Sequence, residues 1–299
     1  MLEYNNLAGL MSEPTPPSLV ELFRGYAQEV RDALPDADWP TRVYALALRV
    51  LNSNLGSDWA ERHVLGNSDP TPFFRNGAAA AGDEVFHRAR VVDLAETIIN
   101  LYKSPGLSGV LREMQLDHIE DRFAELEVGK ILRLAGLSFN YVSPGGPRGS
   151  SYDLEITTPA GKVCADVKCR VESSTPDGGA ILNTLKYGRT QLPANEMGAI
   201  FLKLPQTWAA DGDIAPLLPM LEEAAERFLR GTKRVVAVIM YFNIVRVVED
   251  RIEIFNVYKQ VTNPKHRFEV DGPIHVLPQD HAPFISPRPD WVRLAEITR

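Results

Sequence analysis

The chain has 299 residues, of which 44% are hydrophobic and 24% are charged, and its formal net charge is −7. This length accommodates one large domain or two of ordinary size. Proteins dedicated to non-specific DNA binding are usually basic, so the net charge argues against that class, although it allows a local basic patch.

Several features of the sequence predict a cytoplasmic protein. No apolar run approaches the roughly 20 residues that span a bilayer, and the N-terminus lacks the basic start and hydrophobic stretch of a signal peptide. The two cysteines, Cys164 and Cys169, lie on one predicted strand and face opposite sides, which is a poor arrangement for a disulfide. Reduced cysteines suit the cytoplasm. The histidines are scattered, and no His/Cys cluster has the spacing of a zinc site.

The first part of the chain is predicted to form a helical N-terminal domain, residues 1–115, followed by a second domain over residues 116–299. Residues 1–17 are expected to be loosely ordered. Neither GxxxxGK[ST] nor GxGxxG, the fingerprints of nucleotide binding, occurs in the sequence. Helical patterns cover Leu19–Leu34, Trp39–Leu51, Ala89–Tyr102 and Leu107–Met114, with a loop at Asp69–Asp83.

A further helix is predicted over Asp117–Ala135, with Gly136 as its C-terminal stop. It carries two acids, Glu125 and Glu127. Glu125 lies three residues before Val128, so it borders the apolar stripe of the helix. We therefore expect Glu125 to face the sheet and Glu127 to point nearer solvent.

Two alternating stretches predict neighbouring antiparallel strands joined by a Pro-Ala-Gly hairpin turn. In Tyr152–Ile156, the acid Asp153 lies on the polar face. In Val163–Val171, apolar residues alternate with a polar face that includes Asp166 and Lys168. This pairing would hold Asp153 near Asp166 and Lys168.

Two carboxylates this close repel each other unless a positive charge neutralises them. A hard divalent cation such as Mg²⁺ does so, using oxygen ligands and water. Each residue also has an ordinary interpretation. Asp166 and Lys168 could form the solvated face of an edge strand, Asp153 could cap a turn, and Glu125 could pair with a basic residue of its own helix. A metal site explains why all four occur in this order.

The rest of the chain completes an α/β pattern, in which helices flank a mixed central sheet. The tail is rich in proline and is expected to be irregular. The predicted elements are a helix at Ala180–Leu192, a strand at Gly198–Leu204, a helix at Pro216–Arg230, a buried strand at Val235–Phe242, and a hairpin of Val245–Val248 with Ile252–Val257.

The order of helix acid Glu125, strand acid Asp153 and then Asp166-Val167-Lys168 resembles the PD-(D/E)xK, or restriction-endonuclease-like, nuclease superfamily over roughly residues 117–245. Tyr152 stands where the motif has its proline. The resemblance implies a restriction-endonuclease-like fold for the second domain. The spacing of residues in the first core helix is similar to that of Mrr-type members, namely Phe123, Glu125, Val128, Ile131-Leu132 and Gly136.

The same resemblance implies Mg²⁺-dependent hydrolysis of DNA phosphodiester bonds, with Mn²⁺ as a substitute. Asp153, Asp166, the backbone carbonyl of Val167 and Glu125 would bind the metal. Lys168 would orient or deprotonate the attacking water, or stabilise charge on phosphorus. The implied setting is bacterial restriction or phage defence, in which the helical domain would sense a protein partner or the target. A homodimer is compatible with this biology.

Polar side chains after the motif are candidates for contacts with the nucleic-acid backbone, although a mixed solvated surface explains any single one equally well. They are Arg170, Lys186, Arg189 and Gln191, and Arg148 and Lys162 complete the candidate basic patch. Two other functions stay open, an RNA-directed nuclease on the same fold and a non-catalytic nuclease-like binding module. The intact Asp153, Asp166 and Lys168 favour catalysis over the second of these.

Overall fold

A computed structural model describes residues 16–65, 81–116, 119–142, 151–170, 174–208, 213–248, 251–278 and 290–298. Within these ranges, the chain folds as a mixed α/β protein in which a helical N-terminal region precedes a six-stranded sheet. The fold class predicted from the sequence is confirmed. No helix among the described residues is long and apolar enough to cross a membrane.

The helices lie close to the ranges that the sequence predicts. They are α1 (Pro16–Ala33), α2 (Trp39–Leu55), α3 (Ser57–Ala60), α4 (Ala81–Leu101), α5 (Leu107–Gln115), α6 (Ile119–Leu134), α7 (Gly178–Gln191), α8 (Leu218–Arg230) and α9 (Leu294–Ile297). A π-helical turn at Glu61–Leu65 and 3₁₀ turns at Gln206–Trp208 and Ala215–Leu217 accompany them.

Local chemistry explains how α2 begins. The side chain of Asp38 accepts a hydrogen bond from the backbone N–H of Thr41 at 2.9 Å, and Pro40 occupies the first turn. The loop predicted at Asp69–Asp83 extends too far, because α4 already begins at Ala81. Residues 69–80 of that loop lie outside the described residues. Residues 1–15, part of the segment predicted to be loose, also lie outside them.

The strands follow one another in the sheet in chain order, β1 to β6. β3 is parallel to β4 and β4 to β5, whereas the other neighbouring pairs are antiparallel. The crossovers between the parallel strands contain α7 and α8. The strands are β1 (Ser138–Tyr141), β2 (Leu154–Thr158), β3 (Gly161–Cys169), β4 (Met197–Lys203), β5 (Val235–Val248) and β6 (Arg251–Thr262).

Three details of the sheet bear on the sequence predictions. The hairpin turn between β2 and β3 is confirmed, and Gly161 has a φ of 117°, which favours glycine. Val235–Phe242 and Val245–Val248, predicted as separate strands, are one continuous strand, β5, paired along its length with β6. The edge strand β1 was not predicted.

Alternating side chains of the sheet enter two hydrophobic layers. Val163, Ala165 and Val167 of β3 join a cluster with α6 and the helical N-terminal region. Cys164 faces the other side, where it packs with α7 and α8. The two cysteines are free, as predicted, and Cys169 packs against the first layer. Because one core cluster spans both the helical region and the sheet, the helices of the N-terminal region hold α6 against β3.

Candidate active site

The antiparallel pair β2–β3 brings two predicted acids together. Leu154 pairs with Ala165, and the backbone N–H of Asp153 donates to the carbonyl of Ala165 at 2.9 Å. Asp153 therefore lies opposite Asp166 at the end of the strand pair. Its Oδ2 atom accepts a hydrogen bond from the backbone N–H of Val167 at 2.6 Å, which fixes the carboxylate beside the Asp-x-Lys segment.

Asp166 and Lys168 contact each other directly. The Nζ atom of Lys168 lies 2.9 Å from Oδ1 of Asp166 and 3.3 Å from the carbonyl oxygen of Val167. The side chain of Asp166 is only 1% exposed, and that of Lys168 is 20% exposed. This pair is therefore not the solvated face of an edge strand, because β3 has β2 on one side and β4 on the other.

Glu125 reaches the same place from α6. Its side chain is buried, and Oε1 lies 2.5 Å from Nη1 of Arg122 on the same helix. Burial raises the pKa of Glu125 well above its usual range, and the negative charge of Asp153 raises it further. The structure thus brings Glu125, Asp153, Asp166 and Lys168 together. Glu125 also pairs with a basic residue of its own helix, Arg122, which was the alternative interpretation of this acid.

Glu127 is the clearest error of the sequence-based expectation, because it is fully buried rather than near solvent. Its carboxylate contacts Nζ of Lys203 at 2.5 Å and the side-chain amide of Asn243 at 2.5 Å, and the guanidinium of Arg90 lies 3.5 Å away. α6 is enclosed by α4 as well as by the sheet, so both of its acids point into the protein.

Asp166 has a raised pKa because it is buried and lies near other negative charges. Burial and then the charge of Asp153 raise the pKa of Asp166 to about 7, against the opposing effect of Lys168. Its second oxygen, Oδ2, is buried and has no hydrogen-bond partner within the described part of the chain. A buried oxygen without a partner is costly unless a cation or water satisfies it.

Gly188 on α7 makes room for this oxygen. A Cβ atom at position 188 would lie 2.7 Å from Oδ2 of Asp166 and 3.4 Å from two side-chain carbons of Ile200. Any larger residue would therefore displace the carboxylate or the helix. No pattern in the sequence connects a glycine of α7 with an acid of β3.

The donor set fits a hard cation that keeps much of its water. Among the residues that the structure describes, no three His, Cys, Asp or Glu side chains form a group that could hold a metal ion. Mg²⁺, however, is commonly bound through one or two carboxylates, and water fills its other positions. Asp153 and Asp166, with the unpartnered Oδ2 atom and the Val167 carbonyl beside them, match that requirement.

A further acid, missed in the sequence, lies near the same residues. Asp121 is exposed on α6, one turn before Glu125. Its negative charge contributes to the raised pKa values of both Asp166 and Lys168. The i, i+4 spacing from Glu125 was the available signal, since it places both side chains on one side of the helix.

The candidates for backbone contacts separate into two groups. Lys162 pairs with Glu155 at the hairpin end of β3, and the Arg189 guanidinium donates to the carbonyl of Gly231, so the structure does not bring either to the carboxylates. The other three have different surroundings: Gln191 accepts a hydrogen bond from Ser151, Arg170 contacts Thr184 and lies over the Trp208 ring, and Lys186 is exposed. Arg148 lies outside the described residues.

The raised pKa of Asp166 leads to a pH dependence that can be measured without any substrate. A carboxyl whose folded pKa is raised stabilises the fold fully below its unfolded pKa, and this contribution is lost as pH rises through about 7. In the metal-free protein, we expect wild type to lose free energy of unfolding between about pH 4 and 7 relative to Asp166→Asn, because this window runs from the unfolded pKa to the folded pKa. Urea unfolding in EDTA measures this difference. Parallel pH profiles for the two proteins would contradict it.

Comparisons with known proteins add little to the geometry. No family of proteins and no curated protein matches the chain. Among solved structures, SfsA of Pyrococcus furiosus in complex with Ca²⁺ is similar over 48% of this chain and 62% of its own, with 14% sequence identity and a TM-score of 0.19. A TM-score this low does not indicate a shared fold. The function is therefore inferred from the residues of the site.

Proposed function

We propose that the chain is a metal-dependent nuclease that hydrolyses phosphodiester bonds of DNA. The observation that carries the proposal is the convergence of Glu125, Asp153, Asp166 and Lys168 at one end of the β2–β3 pair. Glu125, Asp153 and Asp166 all have raised pKa values, with Lys168 and Arg122 as the neighbouring cations, and perturbed carboxyls gathered in this way make a candidate functional site. By the resemblance of the motif, the proposed setting is restriction or phage defence in a bacterial cytoplasm.

Asp153 and Asp166 would hold Mg²⁺ or Mn²⁺ together with the Val167 carbonyl, and Glu125 would contact the ion through water or hold a second one. When bound, such an ion polarises the scissile phosphate and lowers the pKa of a water molecule. The Val167 N–H keeps the Asp153 carboxylate in place, and Arg122 does the same for Glu125. These contacts limit the reorganisation that binding requires.

Lys168 is suited to stabilise charge. Burial disfavours its ammonium form, but the carboxylates of Asp166 and Asp153 outweigh burial and raise the pKa of Lys168. It is therefore protonated near neutral pH, which favours donation to the attacking water or to the developing charge on phosphorus over removal of a proton. Because its side chain remains 20% exposed, a substrate phosphate can reach it.

The test is a cleavage assay with the purified full chain in Mg²⁺, in Mn²⁺ and in EDTA. Supercoiled plasmid, linear duplex, single-stranded DNA and RNA are assayed side by side. We expect metal-dependent cleavage of DNA that leaves 5′-phosphate ends. Cleavage of RNA alone would replace the DNA proposal with an RNA-directed nuclease. Absence of cleavage on all four substrates with both metals would support a binding module instead.

Substitution of Gly188 tests whether the position of Asp166 matters. In Gly188→Ala, the new Cβ would meet Oδ2 of Asp166, and we expect a loss of activity on the order of 100-fold, since a small misplacement of a reacting group has that effect. The stability should stay near that of wild type, because alanine improves helix propensity by about 1 kcal/mol and offsets strain. Cleavage rates and urea unfolding of the same preparation separate the two effects.

The matched control is Gly25→Ala. Gly25 also lies in a helix, α1, and a Cβ there would meet nothing within 4 Å. This variant should keep full activity and gain up to about 1 kcal/mol of stability. Equal activity of the Gly188→Ala and Gly25→Ala variants would show that the close approach of Gly188 to Asp166 has no role in the reaction.

A further inference from the structure

One aromatic side chain is exposed beside the candidate catalytic lysine. Tyr187 on α7 is 61% exposed, and it is the one aromatic residue among the large exposed hydrophobic side chains that the structure describes. The Nζ atom of Lys168 lies 5.5 Å from the centre of its ring. The ring therefore borders the site while most of its surface faces solvent.

Packing of α7 does not account for this exposed ring. The helix buries Ile181, Leu182, Leu185 and Gly188 against the sheet and α8, and Tyr187 projects from the other side. The exposed side of the helix also includes Asn183 and Lys186, one turn earlier and one residue earlier. Asn183, one turn before Tyr187, therefore lies next to the ring on the exposed side of α7, and Lys186 adds a cation to the same exposed surface.

The charges around the site favour contact with bases over contact with many phosphates. A duplex-binding protein commonly neutralises 6–10 phosphates with lysine and arginine. Among the described candidates, Arg189 and Lys162 are directed elsewhere and Arg122 is held by Glu125, which leaves Lys168, Arg170 and Lys186, and the chain as a whole has a net charge of −7. Stacking of a base on an aromatic ring supplies affinity without additional cations.

We propose that Tyr187 is a stacking platform for one nucleobase of the substrate, so that the site prefers DNA in which the base next to the scissile phosphate is unpaired. The inference rests on the proposed nuclease function. A base inside a duplex has both faces covered by its neighbours, so only a single strand or a locally opened position can present a free face to the ring. With a base on Tyr187, the adjoining phosphate lies on the side of the Lys168 amine.

The experiment measures binding with Ca²⁺ in place of Mg²⁺ to limit turnover. The probe is a single-stranded DNA oligonucleotide carrying 2-aminopurine, whose fluorescence falls when it stacks, and its duplex form is the comparison. Wild type, Tyr187→Ala and Tyr187→Phe are titrated, with Tyr102→Ala as a control for loss of a partly exposed tyrosine, which directly follows α4. Urea unfolding checks that each variant is folded.

We expect Tyr187→Ala to lose single-strand affinity by about 5- to 150-fold, which corresponds to about 1–3 kcal/mol for one stacked base. It should also lose the fluorescence decrease, whereas Tyr187→Phe and Tyr102→Ala keep both. Binding of the duplex should change less than twofold in every variant. An unchanged single-strand affinity and fluorescence response in Tyr187→Ala would overturn the stacking inference.

The two proposals fail in different ways. If wild type cuts DNA and Tyr187→Ala cuts single strands as fast as wild type at low substrate concentration, the nuclease proposal stands and the stacking inference is wrong. If wild type quenches the probe through Tyr187 but cuts none of the four substrates, stacking stands and catalysis is wrong. Absence of binding to both single-stranded and duplex DNA would contradict both.

Discussion

Replacement of Lys168 by alanine is expected to abolish detectable cleavage of DNA, a loss of at least about 100-fold, while DNA affinity stays within a few-fold of wild type. Lys168 is the cation in direct contact with Asp166, so its loss removes charge stabilisation where the phosphate would react. Affinity depends on several phosphate and base contacts, of which this amine would be only one. Cleavage is measured with Mg²⁺, and binding is measured with Ca²⁺.

The chain offers a closely matched control in Lys162→Ala. Lys162 lies on the same strand, β3, but at the hairpin end, where it pairs with Glu155. Lys162 and Lys168 are six positions apart along the strand, which corresponds to about 20 Å. We expect this variant to cut DNA at the wild-type rate. If Lys168→Ala also cut at the wild-type rate, the Asp-x-Lys segment would have no catalytic role.

The strand residues of the site could be predicted because alternation is a local property. Side chains alternate between the two faces of a strand, and this alternation predicts which face carries Asp153, Asp166 and Lys168. The short turn predicts that β2 pairs with β3. The edge strand β1 was missed because Ser138–Tyr141 is only four residues long. The length of β5 was underestimated because its polar residue Asn243 interrupts the apolar run but is buried by tertiary contacts.

The remaining parts of the site come from contacts between residues far apart in the chain. Glu127 is 76 residues from Lys203, with which it pairs, and Gly188 meets an acid from another element. The spacing of apolar residues in the sequence shows which side of α6 is apolar. It does not show that α4 covers a second side of this helix. Asp121 and Tyr187 became candidates only when the neighbours of Lys168 were known.

The burial of Glu127 links the candidate site to the helical region. Glu125 and Glu127 are two positions apart on α6, so the turn that presents one acid to Asp153 anchors the other to β4 and β5. Arg90 of α4 lies against the same carboxylate. The helical region therefore helps to determine the position of α6, and through α6 that of Glu125, even though it supplies none of the four converging residues.

This buried network leads to the largest expected change in stability. Removal of one partner of a buried ion pair leaves the other charge without compensation and typically costs about 3–5 kcal/mol. We therefore expect Glu127→Ala to lower the free energy of unfolding by about that amount, since Lys203 would stay buried with its main acidic partner gone. Burial already lowers the pKa of Lys203, so the loss should shrink as pH rises toward the ordinary lysine pKa.

Urea unfolding of three variants decides whether the effect arises from an uncompensated buried charge. Glu29→Ala is the matched control, because Glu29 pairs with Arg49 on the surface, where both side chains are about half exposed, and such pairs contribute about 0–1 kcal/mol. The double variant Glu127→Gln/Lys203→Met removes both of these charges and should recover part of the stability that Glu127→Ala loses, because one buried cation of the network, Arg90, then remains instead of two. If Glu127→Ala were no less stable than Glu29→Ala, Glu127 would not anchor α6, and the helical region would not fix the position of Glu125 through this contact.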